Sequence, residues 1–339
     1  MAMIPYGRQS INDDDIKAVI ETLRSDFITQ GPKVEEFEKA LSSLTGAKYA
    51  VCCSSGTAAL YLAMRALSIG PGSTGLTTPL TFAASANCIE LAGGKAAFVD
   101  IDHETLNISV EAVEEYCNQF GPPDVVIPVD FAGIPSDLER LYELKQRFGF
   151  SIVEDAAHAI GSSYTKRNGQ KVQCGACVHT DMAIFSFHPV KNITCAEGGA
   201  VLTNDPEMAH RLKCLREHGI ERTGGWRYDF SEISFNFRLS DIHAALGMSQ
   251  LKRIESFKQK RRALFERYRE ELSALEEKGS LILPKIPDGT YPCMHLFVIR
   301  VGENAKVDRD TLFSLLREQG VAAQVHYWPV HLFSYYKMR

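Results

Sequence analysis

The stretch DMAIFSFHPVKNITCAEGGAVLTND, residues 181–205, contains two apolar runs separated by a loop that carries a single lysine. The runs MAIFSF and GAVLTN are predicted to be buried β-strands, since uninterrupted apolar residues are typical of strands covered on both faces. Lys191 lies between them, three residues after His188. A lysine ammonium beside buried strands costs free energy unless it is paired or neutralised. The stretch therefore predicts a buried sheet and a lysine with a specific task.

Strand and helix patterns alternate along the chain on both sides of this stretch. Helical spacing of apolar residues is found in INDDDIKAVIETL, GPKVEEFEKALSSLTG, TAALYLAMRAL and AASANCIELAG. Buried strands are predicted in AKYAVCCSS, LTTPLTF, KAAFVDID, DVVIPVDFAG and FSIVEDAAHA. Apolar strands separated by helices predict an α/β fold with a large, mainly parallel sheet covered on both faces.

The pattern changes near residue 240, where one long amphipathic helix is predicted over SDIHAALGMSQLKRIESFKQKRRALFERYREELSAL. After it, HLFVIRV and VAAQVHYWP are predicted strands on either side of the helix DRDTLFSLLREQG. We therefore expect two domains. These are a large α/β domain over residues 1–245, including the N-terminal helices, and a small α+β domain over residues 246–339.

The composition is that of an ordinary globular protein and argues against several classes of function. Of the 339 residues, 45% are hydrophobic and 23% charged, and the net charge of -5 gives no electrostatic case for nucleic acid or an anionic membrane. No run of about 18 apolar residues occurs, and MAMIPYGRQSINDDD lacks the apolar core of a signal peptide. The nine scattered cysteines are expected to be reduced thiols, which predicts a cytoplasmic protein.

Ligands of open parallel sheets collect at the carboxyl ends of the strands, so the residues after each strand are candidates for a site. After YAVCCSS comes Ser54-Ser55-Gly56-Thr57, followed by a helix. Free backbone N–H groups at such a helix N-terminus suit a phosphate. The alternative is a plain serine or threonine N-cap with a turn glycine.

The strand FSIV is followed by two acids, Glu154 and Asp155. Neighbouring residues of a strand point to opposite faces, so these two do not form a paired-carboxylate site. Asp155, Ala157 and Ala159 share a side if the strand continues that far. Asp155 is then suited to a flat ligand with a basic nitrogen, and the alternative is an acid that caps the next loop.

After MAIFSF come Ser186, His188 and Lys191. Burial lowers the pKa of a lysine and makes a nucleophilic amine, whereas a surface loop lysine is the alternative. A phosphate cradle, a strand-end acid and a strand-end lysine, in this chain order, are the parts that hold pyridoxal 5′-phosphate (PLP). The lysine would form the Schiff base and the acid would keep the pyridine nitrogen protonated.

Two other motifs lack the context that their usual function requires. GPGSTG, residues 70–75, matches the dinucleotide fingerprint by letter, but a predicted helix precedes it and a predicted strand follows. Cys174 and Cys177 have CxxC spacing near His179, yet no fourth zinc ligand is evident, so no metal is expected. The role of the cysteine pair stays open.

Several segments resemble the DegT/DnrJ/EryC1/StrS family of sugar-nucleotide aminotransferases from about residue 4 onward. They are SGTAAL, PLTFAASAN, VEDAAHAIGSSY, FSFHPVKNITCAEGGAVLTND, FNFRLSDIHAALGMSQL and AAQVHYWPVH. The resemblance implies the fold type I of PLP-dependent transferases, as in aspartate aminotransferase, and a homodimer with shared active sites. IPYGRQSINDDDIKAVIETLRSDFITQGPKVEEFEKAL and VDFAGIPSDLE are most similar to the pseudaminic-acid branch, which implies L-glutamate and a UDP-linked 4-keto-6-deoxy sugar as substrates.

The resemblance also implies roles for single residues. Lys191 would be the internal aldimine lysine and proton shuttle, and Asp155 would pair with the pyridine nitrogen. Phe82 would stack on the cofactor ring, and His158 would lie near the ring hydroxyl. The implied phosphate ligands are Gly56, Thr57 and Ser186.

Other implied roles concern a second subunit and the sugar. Asn236 would reach the phosphate in the neighbouring subunit, with Arg238 close by. His326 and Tyr327 would meet the sugar substrate, while His188 receives no role. The chain ends at HLFSYYKMR, where relatives in the family continue, so a small domain truncated at its C-terminus is expected.

Four alternative functions compete with this interpretation. An aminotransferase for a different nucleotide-linked keto sugar shares all the residues above. The cofactor-dependent sugar dehydratases of the family lack the lysine that is present here as Lys191. A catalytically idle homologue could serve as a binding or assembly subunit. A nicotinamide-dependent oxidoreductase rests on GPGSTG alone.

Overall fold

The computed structural model describes residues 3–230 and 232–338. Helices and strands alternate in its first part as α1 (Asp13–Leu23), α2 (Pro32–Thr45), β1 (Tyr49–Cys53), α3 (Gly56–Ala66), β2 (Thr74–Thr77), α4 (Ala84–Leu91), β3 (Lys95–Phe98), α5 (Val110–Phe120), β4 (Val125–Ile127), α6 (Leu138–Phe148), β5 (Ser151–Asp155), β6 (Ser163–Thr165), β7 (Lys171–Gln173), β8 (Met182–Ser186), β9 (Gly199–Thr203) and α7 (Pro206–Arg216). The later part contains β10 (Glu221–Gly224), β11 (Arg227–Asp229), α8 (Asp241–Leu251), α9 (Ile254–Glu277), β12 (Leu281–Ile282), β13 (Thr290–Tyr291), β14 (Arg300–Val301), α10 (Arg309–Glu318) and α11 (Ser334–Lys337).

One seven-stranded sheet organises the first part of the chain, in the strand order β1-β9-β8-β5-β4-β2-β3. The neighbours from β8 to β3 pair in parallel. Only β9 opposes this direction within the sheet, since it is antiparallel to both β1 and β8. The predicted mainly parallel sheet is therefore confirmed.

The sheet is buried on both faces because successive residues of its strands pack into different clusters. Val51 and Cys53 of β1 lie in a cluster with α3, α4 and α7. Ala50 and Cys52 of the same strand lie in a second cluster with α2 and α8. A third cluster joins α5 and α6 to the far half of the sheet. This two-sided burial explains why the strands read as continuous apolar runs rather than as an alternation.

The two N-terminal helices match their sequence signals. Asn12 and Asp15 form a reciprocal capping box at the start of α1, which satisfies two backbone donors. α2 begins at Pro32 and ends at Thr45, and its C-cap is Gly46, which has a φ of 87°. A left-handed residue after a helix end favours glycine.

The prediction of one long helix from residue 240 is wrong, because the structure has two helices that meet at Lys252 and Arg253. Arg253 leaves the helical path and its guanidinium binds the buried carboxylate of Asp15 and the carbonyl of Ser10. Gln250 also donates to Asp15, at 2.7 Å. These contacts hold α8 against α1, and α9 starts in a new direction.

The prediction of a strand over VAAQVHYWP is also wrong. In this segment only Val321 forms a bridge, with Ile4, and Ala322 donates its N–H to Ile4 O at 3.0 Å. These isolated bonds tie the segment to the first part of the chain without forming a ladder. HLFVIRV contributes only β14, which pairs with β12.

The division into two domains at residue 245 stays a prediction. That position lies inside α8, which packs on α1 and α2. Arg339, where the expected truncation falls, is outside the described residues. Among the residues described, no helix combines the length and the apolar character needed to cross a bilayer.

Candidate active site

A cavity of about 520 Å³ lies at the carboxyl edge of the sheet. It is lined by the residues that follow β1, β5 and β8, together with residues 324–327 from the later part of the chain. Its volume is within the range of small-molecule sites. Nine of the residues expected to contact the cofactor or the sugar line it, namely Gly56, Thr57, Phe82, Asp155, His158, Ser186, Lys191, His326 and Tyr327.

The N-terminus of α3 forms one end of the cavity. Ser55 is its N-cap, and its hydroxyl accepts the N–H of Ala58 at 3.1 Å. Within the described ranges, the N–H groups of Gly56 and Thr57 have no hydrogen-bond acceptor. The two interpretations of this stretch are therefore compatible, because the N-cap leaves the first two donors of the helix free for an anion.

Glycine is required at two positions around this helix start. A Cβ on Gly56 would lie 2.8 Å from the Cβ of Ser186, so glycine allows β8 to approach the helix. A Cβ on Gly199 would lie 2.3 Å from the carbonyl oxygen of Ser55. Close backbone approach of this kind selects glycine. Together they bring the Ser186 hydroxyl next to the free N–H groups.

Asp155 ends β5 and is only 5% exposed. Its carboxylate accepts the hydroxyl of Ser85 at 2.7 Å and the N–H of Ala157 at 3.2 Å. Burial raises the pKa of Asp155, while Ser85, Ala157 and Lys191 act in the opposite direction. The strand ends at Asp155, so the prediction that Asp155, Ala157 and Ala159 share a side is wrong in part. Ala157 lines the cavity and Ala159 lies in the core.

Lys191 lies in the loop after β8, in a turn closed by its own N–H, which donates to His188 O at 2.9 Å. Burial lowers the pKa of Lys191 to about 8, and the nearby Asp155 opposes that change. At pH 7 roughly a tenth of this amine is then unprotonated and nucleophilic, far more than of an ordinary lysine. His188, which received no role from the sequence, also lines the cavity.

His158 is buried and belongs to a pair that the sequence did not reveal. Its ring centroid lies 4.4 Å from that of His295, and the Tyr327 hydroxyl is 3.5 Å from its Nε2. His295 Nδ1 lies 3.1 Å from the side-chain Oδ1 of Asn192, the residue after Lys191. Burial lowers the pKa of both imidazoles well below the usual value, with Lys191 adding to the effect. Nδ1 of His158 has no partner among the described residues and is free for a ligand hydroxyl.

Aromatic side chains form a further wall of the cavity. Phe82 is 62% exposed, and its ring centroid lies 6.4 Å from that of Tyr327. Tyr327 also packs edge-on against Phe131 at 6.1 Å, and His326 packs against Tyr6 at 5.2 Å. Sequence reasoning missed Tyr6, because Ile4 and its neighbours reach the cavity only through the bridge to Val321.

Asn236 and Arg238 do not line this cavity. Asn236 is exposed and forms an isolated bridge with Glu217. The Arg238 guanidinium lies 3.5 Å from the same Glu217 carboxylate. Their expected role concerned a neighbouring subunit and stays a prediction.

The two motifs that lacked context are used structurally. GPGSTG follows α3 and leads into β2, the reverse of the strand-to-helix order that dinucleotide sites need. The thiol of Cys177 donates to Leu202 O at 3.3 Å, and His179 Nδ1 lies 2.7 Å from the Tyr164 hydroxyl. Cys177 and His179 therefore have separate hydrogen-bond partners, and the absence of a metal at this motif stays a prediction.

Comparison with known proteins agrees with this geometry. The sequence profile of the DegT/DnrJ/EryC1/StrS aminotransferase family matches residues 9–339. The uncharacterized protein MJ1066 of Methanocaldococcus jannaschii is 35% identical over 99% of this chain and 86% of its own length.

Two solved structures extend the comparison to three dimensions. The putative sugar aminotransferase Spr1654 from Streptococcus pneumoniae, in its PLP-form, has a TM-score of 0.88 at 32% identity, over 99% of this chain and 88% of its own. Helicobacter pylori PseC, an aminotransferase involved in the biosynthesis of pseudoaminic acid, has a TM-score of 0.89 at 30% identity, with the same coverages. The expected fold type I is confirmed, and this chain belongs to the DegT/DnrJ/EryC1/StrS aminotransferase family.

Proposed function

We propose that this chain is a PLP-dependent sugar aminotransferase that transfers the amino group of L-glutamate to C4 of a UDP-linked 4-keto-6-deoxy-N-acetylhexosamine. The observation that carries the proposal is one cavity that combines the Lys191 amine, the buried Asp155 carboxylate and the free N-terminus of α3. Spr1654, a structural neighbour, has been solved in PLP- and PMP-forms. When bound, PLP supplies an electron sink for the amino-acid carbon.

The residues present fit this cofactor. The N–H groups of Gly56 and Thr57 and the hydroxyl of Ser186 are suited to bind its phosphate. The carboxylate of Asp155, fixed by Ser85, is suited to hold a positive charge on the pyridine nitrogen. A neutral His158 offers Nδ1 to the ring hydroxyl.

Lys191 performs two tasks in this proposal. Its amine, unprotonated in part at neutral pH, would bind the cofactor covalently. As a free amine, Nζ would hold a proton and move it to or from the substrate carbon. Phe82 and Tyr327 shield the site from water, and His326 and Tyr327 are placed to contact the sugar.

The finer substrate assignment rests on similarity to the pseudaminic-acid branch. The corresponding enzyme is UDP-4-amino-4,6-dideoxy-N-acetyl-β-L-altrosamine transaminase, and PseC is among the structural neighbours. The alternative is an aminotransferase for another nucleotide-linked keto sugar. Conversion of a panel of UDP-4-keto-6-deoxy sugars with glutamate, followed by mass spectrometry and NMR, separates the two. Preferential amination of a different sugar contradicts the pathway assignment.

A homodimer is part of the proposal. The hairpin of β10 and β11, residues 221–229, and the segment after it expose large apolar side chains. Trp226 is 85% exposed and Ile233 is 77% exposed. Exposed apolar surface of this extent is typical of an interface, and Asn236 lies beside it. We infer that this segment covers the cavity of a second copy and brings Asn236 to its phosphate site.

Two remaining points complete the proposal. The cytoplasm is the proposed compartment, since all nine cysteines are free thiols and eight of them are buried. A catalytically idle homologue is tested by absorbance, because an active enzyme reconstituted with PLP loses its visible band when glutamate is added. A band unchanged by glutamate supports the idle homologue instead.

A further inference from the structure

A second group of ionisable side chains lies on the opposite side of β5 from the cavity. Glu154 directly precedes Asp155, so the two side chains point to opposite faces of the sheet. Asp130, Glu154 and Cys174 are fully buried, and one polar atom from each lies within 4.8 Å of the others. The proposed transamination does not use this cluster.

The hydrogen bonds of the two carboxyls leave one oxygen without a donor. Asp130 Oδ1 accepts the N–H of Ser136 at 2.8 Å. The N–H of Gly175 donates to both oxygens of Glu154, at 3.1 and 3.3 Å. Asp130 Oδ2 has no donor in the described part of the chain, although Asp130 is 0% exposed. A buried carboxylate oxygen without a donor is costly, so two ionised carboxylates do not account for this arrangement.

We propose that Glu154 is a neutral carboxylic acid that donates its proton to Asp130 Oδ2, so that the two carboxyls share one proton. The described ionisable groups packed against the pair are Cys174, Cys177 and Tyr164, and their anionic forms all repel it. A hydrogen bond from the neutral Cys174 thiol lowers the pKa of both carboxyls without supplying a charge. None of these three groups supplies a positive charge. Two carboxylates buried this close cannot both ionise without a large penalty.

Titration behaviour agrees with this geometry. Burial and the neighbouring Asp130 raise the pKa of Glu154 well above its usual value. Burial also raises the pKa of Asp130, to about 6, although its hydrogen bond with Glu154 acts in the opposite direction. At neutral pH the proton therefore stays on Glu154, and Asp130 is the acceptor.

The shared proton joins the same two strand ends that hold Asp155. The N–H of Asp155 donates to Pro128 O at 2.8 Å, and the N–H of Asp130 donates to Asp155 O at 3.1 Å. The Asp130–Glu154 pair closes this junction through side chains on the other face. Both are positioning residues, since neither lines the cavity. The pair would affect the cofactor by holding Asp155 in position, and this effect rests on the proposed function.

The test compares the apoprotein with Glu154→Gln by chemical unfolding from pH 6 to pH 9. Glutamine keeps a donor toward Asp130 and an acceptor for Gly175 but cannot titrate. In the wild type, the folded state retains a proton that the unfolded state loses near pH 4. The folded-to-unfolded ratio of the wild type is therefore expected to fall about tenfold per pH unit relative to the variant. Glu115→Gln, an exposed position on α5, is the matched control and is expected to follow the wild type.

Parallel pH profiles for the wild type and Glu154→Gln overturn the proposal. So does a stoichiometric metal ion found by elemental analysis of the purified apoprotein, because a cation would then replace the proton. If the variant does not fold, infrared spectra of the wild type at pH 7 decide the matter. A protonated-acid C=O band that shifts with ¹³C-labelled glutamate supports the proposal, and its absence refutes it. Since no measurement uses PLP, failure of the proposed function leaves this test intact.

Discussion

The cavity and the β10–β11 hairpin differ in whether one chain is enough for their proposed role. The cavity forms within a single chain, whereas the hairpin is proposed to act on a second copy. The cavity draws most of its residues from the carboxyl ends of several strands of one buried sheet, among them β1, β5 and β8. The described residues of the hairpin and of the segment up to Asn236 expose large apolar side chains, and none of them lines the cavity of its own chain. In the proposed function, the sheet of one chain therefore carries the reacting groups, whereas the exposed segment serves the site of a neighbouring subunit. Each prediction below tests one side of this contrast.

The largest expected effect is at Lys191. Lys191→Ala is expected to reduce transamination at least about a thousandfold while leaving part of the cofactor binding, because Nζ is the nucleophile and the proton carrier. Steady-state kinetics with glutamate measure the loss. Lys260→Ala, at an exposed position on α9, is the control and is expected to retain full activity. Full activity of Lys191→Ala would contradict the assignment of Lys191 as nucleophile and proton carrier.

Asp155 ranks next. Asp155→Asn keeps the shape and the contact with Ser85 but removes the charge. Without that charge the pyridine nitrogen loses its partner, so kcat is expected to fall about a hundredfold. Kinetics together with the cofactor absorbance separate lost chemistry from lost binding. A wild-type kcat in Asp155→Asn would show that the acid has only a structural role.

The pKa of Lys191 predicts a change in stability. Its folded pKa of about 8 is below the unfolded value, so the folded state binds fewer protons between pH 8 and pH 10.5. Stability of the apoprotein then rises with pH in that window. Lys191→Met is expected to be more stable than the wild type at pH 7, by up to about 3 kcal/mol, with a gap that narrows toward pH 10.5. Chemical unfolding as a function of pH measures this, and an unchanged gap would contradict the lowered pKa.

The proposed role of Asn236 in the neighbouring subunit is tested by mixing two variants that are each expected to be inactive. If Asn236 serves the neighbouring subunit, a mixed dimer of Lys191→Ala and Asn236→Ala contains one intact site. Random exchange of equal amounts should restore about a quarter of the wild-type activity. Each variant alone, taken through the same unfolding and refolding, is the control. Mixtures that stay as inactive as their components would place Asn236 outside the partner's site.

The sequence was most informative where function lies at strand ends. Gly56, Asp155 and Lys191 could be predicted because parallel strands bring their carboxyl ends to one edge. The hydrogen bonds that position Asp155 and the loop of Lys191 were not predictable. Ser85 lies on another helix, and His295 comes from more than a hundred residues after Lys191, so only tertiary packing reveals the contacts.

The errors have a common physical cause. The helix predicted from residue 240 has unbroken amphipathic spacing, but the contact of Arg253 with buried Asp15 redirects the chain. VAAQVHYWP has strand-forming residues, yet it follows the cavity wall and forms one bridge. In both cases a long-range contact overrides local propensity.

The central claim is that Lys191 holds the cofactor in the cavity at the carboxyl edge of the sheet. Borohydride reduction of the protein reconstituted with PLP, followed by peptide mapping, tests it most directly. The account predicts a stable pyridoxyl group on Nζ of Lys191, in the peptide that contains FSFHPVKNITCAEGG. A pyridoxyl group on a different lysine, or none after reduction, would contradict it.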